Sequence, residues 1–514
     1  MKIDLENLPD DPALLQKMLL DLLITLKDQR REIDTLKHQL SLLQRHRFGR
    51  RSEQLNTDQL LLAFAELEKE GLLEAPGETK PVTKPKEPKK GHGRKPLPQS
   101  LPRERIENPL PEKELSCPQC GTKREPIGEE ITEQLEYVPA TFHVKQYVRI
   151  KYACKQCEGE VVISPMPPMP IDKGLPGPGL LSHILVSKYA DHLPLHRQEE
   201  MLRRQGIDLR RSTLCDWVGR CAELLKPVYE RMKEAVLCSK KIHTDDTPVP
   251  VQVKNRNQTR KGRLWVYVGD EAHPHTVYDY TKTRNRDGPA EFLKSFSGFL
   301  QADAYAGYDH LYRKGKIVEV ACWAHGRRKF FDAKVTDAAR STAALAYIAR
   351  LYEVEKEAQS MEPSERHVQR QARSRPLLED FQSWLLKQRA EVLPKSPMGE
   401  AISYVLSNWK AFTRYLDDPD LAIDNNLAER ALRCVAVGRK NWLFAGNDEG
   451  GRRAAIIYSL ICTCKAHGID PFSYLRDVLN RISTHPASRI DALLPHQWKA
   501  IHNHHLEKTK SSVS

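Results

Sequence analysis

Three acidic residues stand where a fold could bring their carboxylates to one divalent cation. Asp245 lies in the alternating segment KKIHTDDTPVPVQV, and Asp303 follows the apolar run GFL. Carboxylates on neighbouring strands can share an ion, and a two-metal site needs a third acid. We identify this acid as Glu429, because Asn425 can cap a helix that projects Glu429 toward the sheet and carries Arg433 one turn later. These oxygen ligands favour Mg²⁺ or Mn²⁺.

The elements that must position these acids follow from the apolar pattern after Lys240. It predicts three strands (KKIHTDDTPVPVQV, GRLWVYVG, HTVYDYT), then helix GPAEFLKSF, strand GFLQADAY, helix YDHLYRKG and strand KIVEVACW. This is the order of an RNase H-like α/β fold, although other mixed folds share it. Each acid alone also fits a turn residue or a solvated surface charge, so spacing leaves both interpretations open.

Four cysteines form two Cys-x-x-Cys pairs, CPQC and CKQC, separated by 33 residues. This spacing is typical of a tetrahedral Zn²⁺ site, and four thiolates leave no open position for water. The intervening sequence alternates as strands do, which predicts a zinc ribbon with a structural ion. The predicted ligands are Cys117, Cys120, Cys154 and Cys157.

The segment LPLHRQEEMLRRQGIDLRRSTLCDWV has the form of a helix-turn-helix. One helix ends at Gly206, the turn carries Arg210 and Arg211, and Ser212 caps a second helix in which Thr213 follows. The second helix would enter the DNA major groove, with the arginines on phosphates. A helical hairpin inside a core is the alternative.

Residues 80–95 hold seven Lys or Arg, one Glu and three prolines, which predicts an extended basic linker. At its end, Arg94 and Lys95 in GHGRKP are candidates for a narrow minor groove. A solvated linker without DNA contacts is an equal alternative.

Residues 14–43 carry about four heptads without Pro or Gly. Leu19, Leu26, Ile33 and Leu40 form one seam, and a second seam is interrupted only by Gln29. The pattern predicts a coiled coil that joins copies of the chain, and a helix folded onto its own core is the alternative.

Composition limits the partners. The chain has 514 residues, a net charge of +13 and a pI near 9.1, which favours a polyanionic partner. The sequence contains no run of eighteen apolar residues, so it predicts no membrane span. The acidic start and the odd count of eleven cysteines indicate a reducing cytoplasm rather than export.

The patterns together predict a multidomain chain. Its regions are a coiled-coil oligomerisation region (1–74), a basic linker (75–105), a zinc-binding domain (106–170), a helix-turn-helix-like region (171–238), an α/β catalytic domain (239–465) with a helical insertion at about 336–416, and a C-terminal helical element (466–514).

Several longer blocks resemble the bacterial DDE transposases of the insertion sequence 66 family. They are LLQRHRFGRRSEQL, GRKPLPQSLPRERI, CPQC with CKQC, KYADHLPLHRQEEMLRRQG, HTDDTPV, LQADAYAGY, CWAHGRRKFFD, DNNLAERALR with GRKNWLFAG, and DPFSYLRDVLNRI with LLPHQW. The resemblance extends over roughly residues 35 to 500.

The resemblance implies that Asp245, Asp303 and Glu429 are the catalytic triad. The family usually has Asp-Glu-Thr where this chain has Asp245, Asp246 and Thr247. Asp246 is therefore a rival for the first acid, although the matching first position is Asp245. Cys322 and His325 resemble a Cys-x-x-His element of several transposase families, which would support the site or bind metal; packing of the cysteine is the alternative.

The resemblance also implies two-metal DNA cleavage at the element's ends, followed by strand transfer to target DNA. Arg433, Arg439 and Lys440 are candidates for phosphate contacts, and Trp442 for stacking on a base. The expected partners are double-stranded DNA, further copies of the chain through the coiled coil, and small accessory proteins from the same element. The chain is expected in the bacterial cytoplasm, associated with the nucleoid when bound to DNA.

Overall fold

The computed structural model describes residues 11–48, 142–152, 162–163, 165–172, 174–253, 258–313 and 315–501. Two compact units divide the chain: one comprises 76–166, and the other comprises 1–75 with 167–514. The four predicted zinc ligands, the basic linker, Arg94 and Lys95 lie outside the described residues.

Helix α1 (Pro12–Phe48) is continuous, as the heptad pattern predicts. Where its side chains are described, the apolar residues of the first seam are all exposed, with Leu19, Leu26, Ile33 and Leu40 each at least half open to solvent. None of the helices in the described ranges combines the length and apolar character that a bilayer crossing requires.

The described part of the unit 76–166 contains two short antiparallel strands, β1 (Lys151–Tyr152) and β2 (Val162–Ile163), which flank the second Cys-x-x-Cys pair. In the part of the larger unit that begins at residue 167, three described helices precede the main sheet: α2 (Pro178–Tyr189), α3 (Leu195–Arg204) and α4 (Arg211–Leu237).

The main sheet has five strands in the order β5-β4-β3-β6-β7. Strands β3 (Lys241–Val251), β4 (Arg260–Val268) and β5 (Thr276–Thr281) are antiparallel neighbours. Strands β6 (Gly298–Ala302) and β7 (Ile317–Ala321) then add in parallel on the other side of β3. A short helix, α5 (Asp287–Phe292), lies between β5 and β6, and another, α6 (Asp309–Tyr312), lies between β6 and β7. The predicted succession of strands and helices is confirmed, and β3 lies at the centre.

A helical insertion follows β7 and builds a second apolar core. Its helices are α7 (Trp323–Ala333), α8 (Ala338–Ala358), α9 (Pro363–Gln369), α10 (Arg375–Glu391), α11 (Pro397–Ser407) and α12 (Trp409–Thr413). Buried residues of the insertion pack with Val320 and Ala321 of β7, which anchors the insertion to the edge of the sheet.

Two further helices, α13 (Asn426–Asn441) and α14 (Asp448–Ala466), return the chain to the sheet, and a third, α15 (Pro471–Arg481), packs mainly against α2. Helix α14 covers the outer strand β5. Ser459 accepts the Tyr278 N–H at 2.8 Å, and Thr463 accepts the Thr276 N–H at 3.0 Å. These hydroxyl groups satisfy edge donors that would otherwise be free to pair with another chain.

Candidate active site

Two of the predicted acids lie near each other on neighbouring parallel strands, Asp245 within β3 and Asp303 at the end of β6. His243 of β3 pairs with Gln301 of β6; Asp245 lies two residues further along β3, and Asp303 lies two residues beyond Gln301, directly after the end of β6. Side chains two residues apart share a face, and neighbouring strands are about 4.8 Å apart. The register of β3 and β6 therefore places Asp245 and Asp303 side by side.

Asp245 is a half-buried carboxylate in a negative environment. Burial, together with the charges of Asp303, Asp246 and Glu429, raises the pKa of Asp245 to about 7. Its Oδ1 accepts the Asp246 N–H at 2.7 Å. Among the residues that the structure describes, no basic side chain forms an ion pair with Asp245. A carboxylate without a cation partner, with two further carboxylates nearby, offers oxygen ligands that fit Mg²⁺ or Mn²⁺.

Asp303 is the first residue after β6, and the insertion fixes its backbone. The Tyr404 hydroxyl of α11 donates to the Asp303 carbonyl at 2.9 Å. The next residue, Ala304, has a φ of +55°, so the chain turns sharply away from the sheet immediately after the acid.

Glu429 reaches the same region from the first turn of α13. This helix packs against β3, where Glu429 is half-buried. The negative charge of Glu429 contributes to the raised pKa of Asp245, so the two carboxylates are close enough to repel each other. The N-terminus of a helix also favours a carboxylate through the helix dipole.

Asn425 determines where α13 begins, although not in the predicted way. It occupies the N-cap position, but its side chain makes no capping hydrogen bond. Instead, Asn425 Nδ2 donates to the Thr244 carbonyl at 2.7 Å, and Oδ1 lies 3.2 Å from His243 Nδ1. Burial lowers the pKa of His243 to about 4, so a neutral imidazole donates to Oδ1. The prediction that the Asn425 side chain caps the helix was wrong, because its amide group forms hydrogen bonds with His243 and with the Thr244 carbonyl instead.

Cys322 and His325 lie beside Glu429. Within the described ranges, these three residues are the only group of potential metal ligands whose donor atoms all lie within 4.8 Å of one another. The buried Cys322 thiol accepts the Asn425 N–H at 3.1 Å, and burial raises the pKa of this thiol to about 12. His325 Nδ1 lies 3.7 Å from Glu429 Oε1. The hydrogen bond from the Asn425 N–H fits a packed cysteine, and the three donor atoms also fit a metal ion.

Asp246, the rival for the first position, is already compensated. Its side chain is only 2% exposed and lies between two guanidinium groups. Arg263 Nη1 donates to Asp246 Oδ2 at 2.7 Å, and Arg284 Nε donates to Oδ1 at 2.8 Å. Successive strand residues face opposite sides, so Asp246 points away from the face of Asp245.

The basic residues of α13 have different environments. Arg433 and Lys440 are exposed, whereas Arg439 Nη1 donates to Thr247 Oγ1 at 2.7 Å and to the Pro248 carbonyl at 2.9 Å, which ties α13 to β3.

Trp442, the candidate for stacking on a base, contacts the main core. Trp442 is half-buried and packs against the main core, whereas the next residue, Leu443, is 80% exposed. The segment after it continues the sheet hydrogen bonding: Ala445 N–H donates to the Pro250 carbonyl at 2.9 Å. Trp442 therefore contributes to the packing of the main core, which is the alternative to base stacking for an aromatic residue in this run.

The predicted helix-turn-helix is present as two helices, α3 and α4. The first ends at Arg204, and Gly206 has the left-handed φ of +79° that the turn requires. The second begins at Arg211, so Ser212 lies inside the first turn and the prediction that it caps the helix was wrong.

The outer face of α4 carries the predicted DNA contacts, and its inner face belongs to the core. Arg210, Arg211 and Ser212 are exposed and Thr213 is half-buried. Leu214 is fully buried.

Comparisons with known proteins match nearly all of these regions. A family model described as "Transposase IS66 family" matches residues 173–453, and one described as "IS66 C-terminal element" matches 459–496. A model described as "zinc-finger binding domain of transposase IS66" matches 114–158. A fourth, "Transposase C of IS166 homeodomain", matches 35–106.

Similar proteins occur in Sinorhizobium fredii (strain NBRC 101917 / NGR234). Uncharacterized protein y4hP is 38% identical over 430 residues, 79% of this chain and 77% of the relative. Uncharacterized protein y4jD is 35% identical over 419 residues, 79% and 82% of the two chains. Uncharacterized protein y4qI is 35% identical over 494 residues, 92% and 90%. The chain therefore belongs to the IS66 family of transposases and carries that family's zinc-finger and DNA-binding regions.

Proposed function

We propose that this transposase cuts the ends of its insertion sequence and joins them to target DNA at a site formed by Asp245, Asp303 and Glu429. The observation that carries the proposal is the register of β3 and β6, which sets two acids side by side while α13 brings the third. The strand order, three antiparallel strands followed by two parallel ones, supports an RNase H-like catalytic domain.

The three acids would hold two Mg²⁺ or Mn²⁺ ions. Asp245 belongs to both ion sites in this proposal, Asp303 to one and Glu429 to the other. When bound, the ions supply the positive charge that phosphoryl transfer requires at the attacking and leaving oxygens.

The protein's own contribution is positioning and charge. Asn425 fixes the start of α13 against β3, and Tyr404 holds the backbone of Asp303. His325 Nδ1 lies 3.7 Å from Glu429 Oε1, so its ring packs beside the third acid. These neighbours hold the acids in place before DNA arrives, which is how a preorganised site lowers a reaction barrier.

The other regions would recognise DNA and pair the two ends. Cys117, Cys120, Cys154 and Cys157 would bind a structural Zn²⁺ within the matched zinc-finger region. Arg210, Arg211, Ser212 and Thr213 on α4, the linker residues Arg94 and Lys95, and the basic residues of α13 would contact double-stranded DNA.

Self-association completes the proposed assembly. The exposed apolar seam of α1 would be covered by a second copy in a coiled coil, which would bring two ends together. Small accessory proteins of the same element would join the complex on the DNA in the cytoplasm.

A strand-cleavage and joining assay tests the proposal. Wild type, Asp303→Asn and Glu429→Gln are incubated with Mn²⁺ and labelled DNA that carries the element's ends. Glu271→Gln is the matched control, because Glu271 is exposed and distant in sequence from all three acids.

We expect wild type and the control to cut and join, and the two site variants to bind DNA without doing either. If the site variants join at the wild-type rate, the assignment of the acids is wrong. If wild type cuts but never joins, the chain is a nuclease rather than a strand-transfer enzyme.

A further inference from the structure

Arg284 is held at the edge of the acidic site by contacts on several sides. It lies in the segment between β5 and α5. Its Nε donates to Asp246 Oδ1 at 2.8 Å, and its guanidinium carbon lies 4.1 Å from the centre of the Tyr305 ring. The Tyr305 hydroxyl donates back to the Arg284 carbonyl at 2.6 Å. Backbone and side chain are therefore both fixed, which is uncommon for an arginine in a connecting segment.

Two arginines form ion pairs with the single carboxylate of Asp246. Arg263 and Arg284 each donate to one of its two oxygens, so one negative charge faces two positive ones. Arg263 is the less open of the two, with a side chain 22% exposed against 38% for Arg284. Arg284 is therefore the more accessible of the two cations.

The guanidinium of Arg284 also faces the acidic site. Arg284 Nη2 lies 3.7 Å from Asp303 Oδ2, which is an ion-pair distance but longer than a hydrogen bond. A guanidinium has five N–H donors in a fixed fork, and Asp246 takes the one on Nε. Nη2 lies beside Asp303 and the Arg284 side chain is 38% exposed, so the guanidinium can also contact a phosphate.

We propose that Arg284 binds a nonbridging oxygen of the DNA phosphodiester next to Asp303, and that Asp246 is the positioning residue that holds Arg284 there. The inference rests on the proposed function, since it takes Asp303 to be a site acid. It assigns to the second Asp of HTDDT a role distinct from that of the first. Asp245 belongs to the acidic cluster, and Asp246 orients the group that receives the substrate's backbone.

Arg263 provides a matched control for the test. Arg263→Gln and Arg284→Gln each remove one of the two cations from Asp246, so a purely structural role predicts the same result for both. The first readout is binding to duplex DNA carrying the element's end, in EDTA, across a range of salt concentrations. The second is the rate of strand cleavage with Mn²⁺.

We expect Arg284→Gln to reduce the slope of log affinity against log salt by about 0.9, which is the loss of one phosphate contact. Its cleavage rate should fall by about 100-fold, the typical effect of removing one preorganised stabilising donor. Arg263→Gln should keep the wild-type slope. Asp246→Asn should keep the slope and lower the cleavage rate, because the cation stays but loses its orientation.

Arg284→Lys covers the case in which the glutamine variant does not fold. Lysine keeps the positive charge beside Asp246 but has no fork, so we expect the salt slope to be retained and cleavage to fall at least tenfold. Wild-type cleavage by Arg284→Lys would overturn the proposal.

Equal salt slopes and equal cleavage rates for Arg284→Gln and Arg263→Gln would also overturn it. This failure is distinguishable from failure of the proposed function, because Glu429→Gln is run in parallel. If Glu429→Gln is inactive while the two arginine variants agree, only the role of Arg284 is wrong.

Discussion

The raised pKa of Asp245 predicts that this acid destabilises the metal-free protein above neutral pH. The perturbation is Asp245→Asn, which keeps the shape of the side chain and an oxygen that can still accept the Asp246 N–H. It removes only the charge that burial and the neighbouring acids oppose. We therefore expect the variant to be more stable than wild type wherever Asp245 is ionised.

The magnitude follows from the shift of the pKa. Burial and negative neighbours raise it from the ordinary value of 3.8 to about 7. At 1.36 kcal/mol per unit, the shift corresponds to an upper value of about 4 kcal/mol, and we expect about 2–4 kcal/mol at pH 8. Because the folded-state pKa lies above the unfolded-state one, the folded protein keeps a proton that the unfolded chain releases. Stability of the wild type therefore falls as pH rises from about 4 to 7.

The assay is urea unfolding in EDTA at several pH values, with Asp208→Asn as an exposed control. We expect the stability difference between Asp245→Asn and wild type to shrink to about 1 kcal/mol near pH 4.5, and the control to show no such trend. Adding Mg²⁺ should stabilise the wild type and not the variant, because binding to the folded state raises its stability. A variant that is less stable than wild type at pH 8, or shifted equally at both pH values, would refute this reasoning.

Three other predictions follow from the structure. Arg370→Met should lower the free energy of urea unfolding by about 3–5 kcal/mol, because Arg370 is buried, pairs with Glu355 and donates to three backbone carbonyls; Lys410→Met, on the exposed surface, should have little effect. Asn425→Ala should cost about 1–3 kcal/mol in the same measurement and slow DNA cleavage while DNA binding persists, because it leaves buried groups of β3 without partners. Metal analysis of purified protein should find one zinc per chain, and Cys120→Ser should lose it; full zinc content in that variant would remove Cys120 from the ligand set.

The sheet was predictable from sequence because its signals are local. Period-two alternation and turn residues marked every strand from Lys241 to Ala321, and the observed ends differ from the predicted ones by a few residues. The positions of Asp245 and Asp303 followed from the same pattern. The cap signal of Asn425 and the helix after it made Glu429 the candidate for the third acid, and the family resemblance supported this choice; the sequence alone indicated no contact between Glu429 and Asp303, which lies more than a hundred residues earlier in the chain.

Contacts between distant segments were not predictable in this way. Asn425 looks like a helix cap in sequence, but its side chain bonds to Thr244, which is 181 residues away. Arg284 stands in the polar segment TKTRNRDG, where no spacing distinguishes it from Arg286. Its importance appears only when folding brings Asp246 and Asp303 to the two sides of its guanidinium.

Binding of Mn²⁺ tests the central claim most directly, because the claim is that three acids from separate elements form one cation site. Calorimetric or magnetic-resonance titration would compare wild type with Asp245→Asn, Asp303→Asn, Glu429→Gln and the control Glu271→Gln, all without DNA. We predict that each site variant loses Mn²⁺ affinity by at least tenfold while the control keeps it. Wild-type affinity in all three site variants would contradict the account.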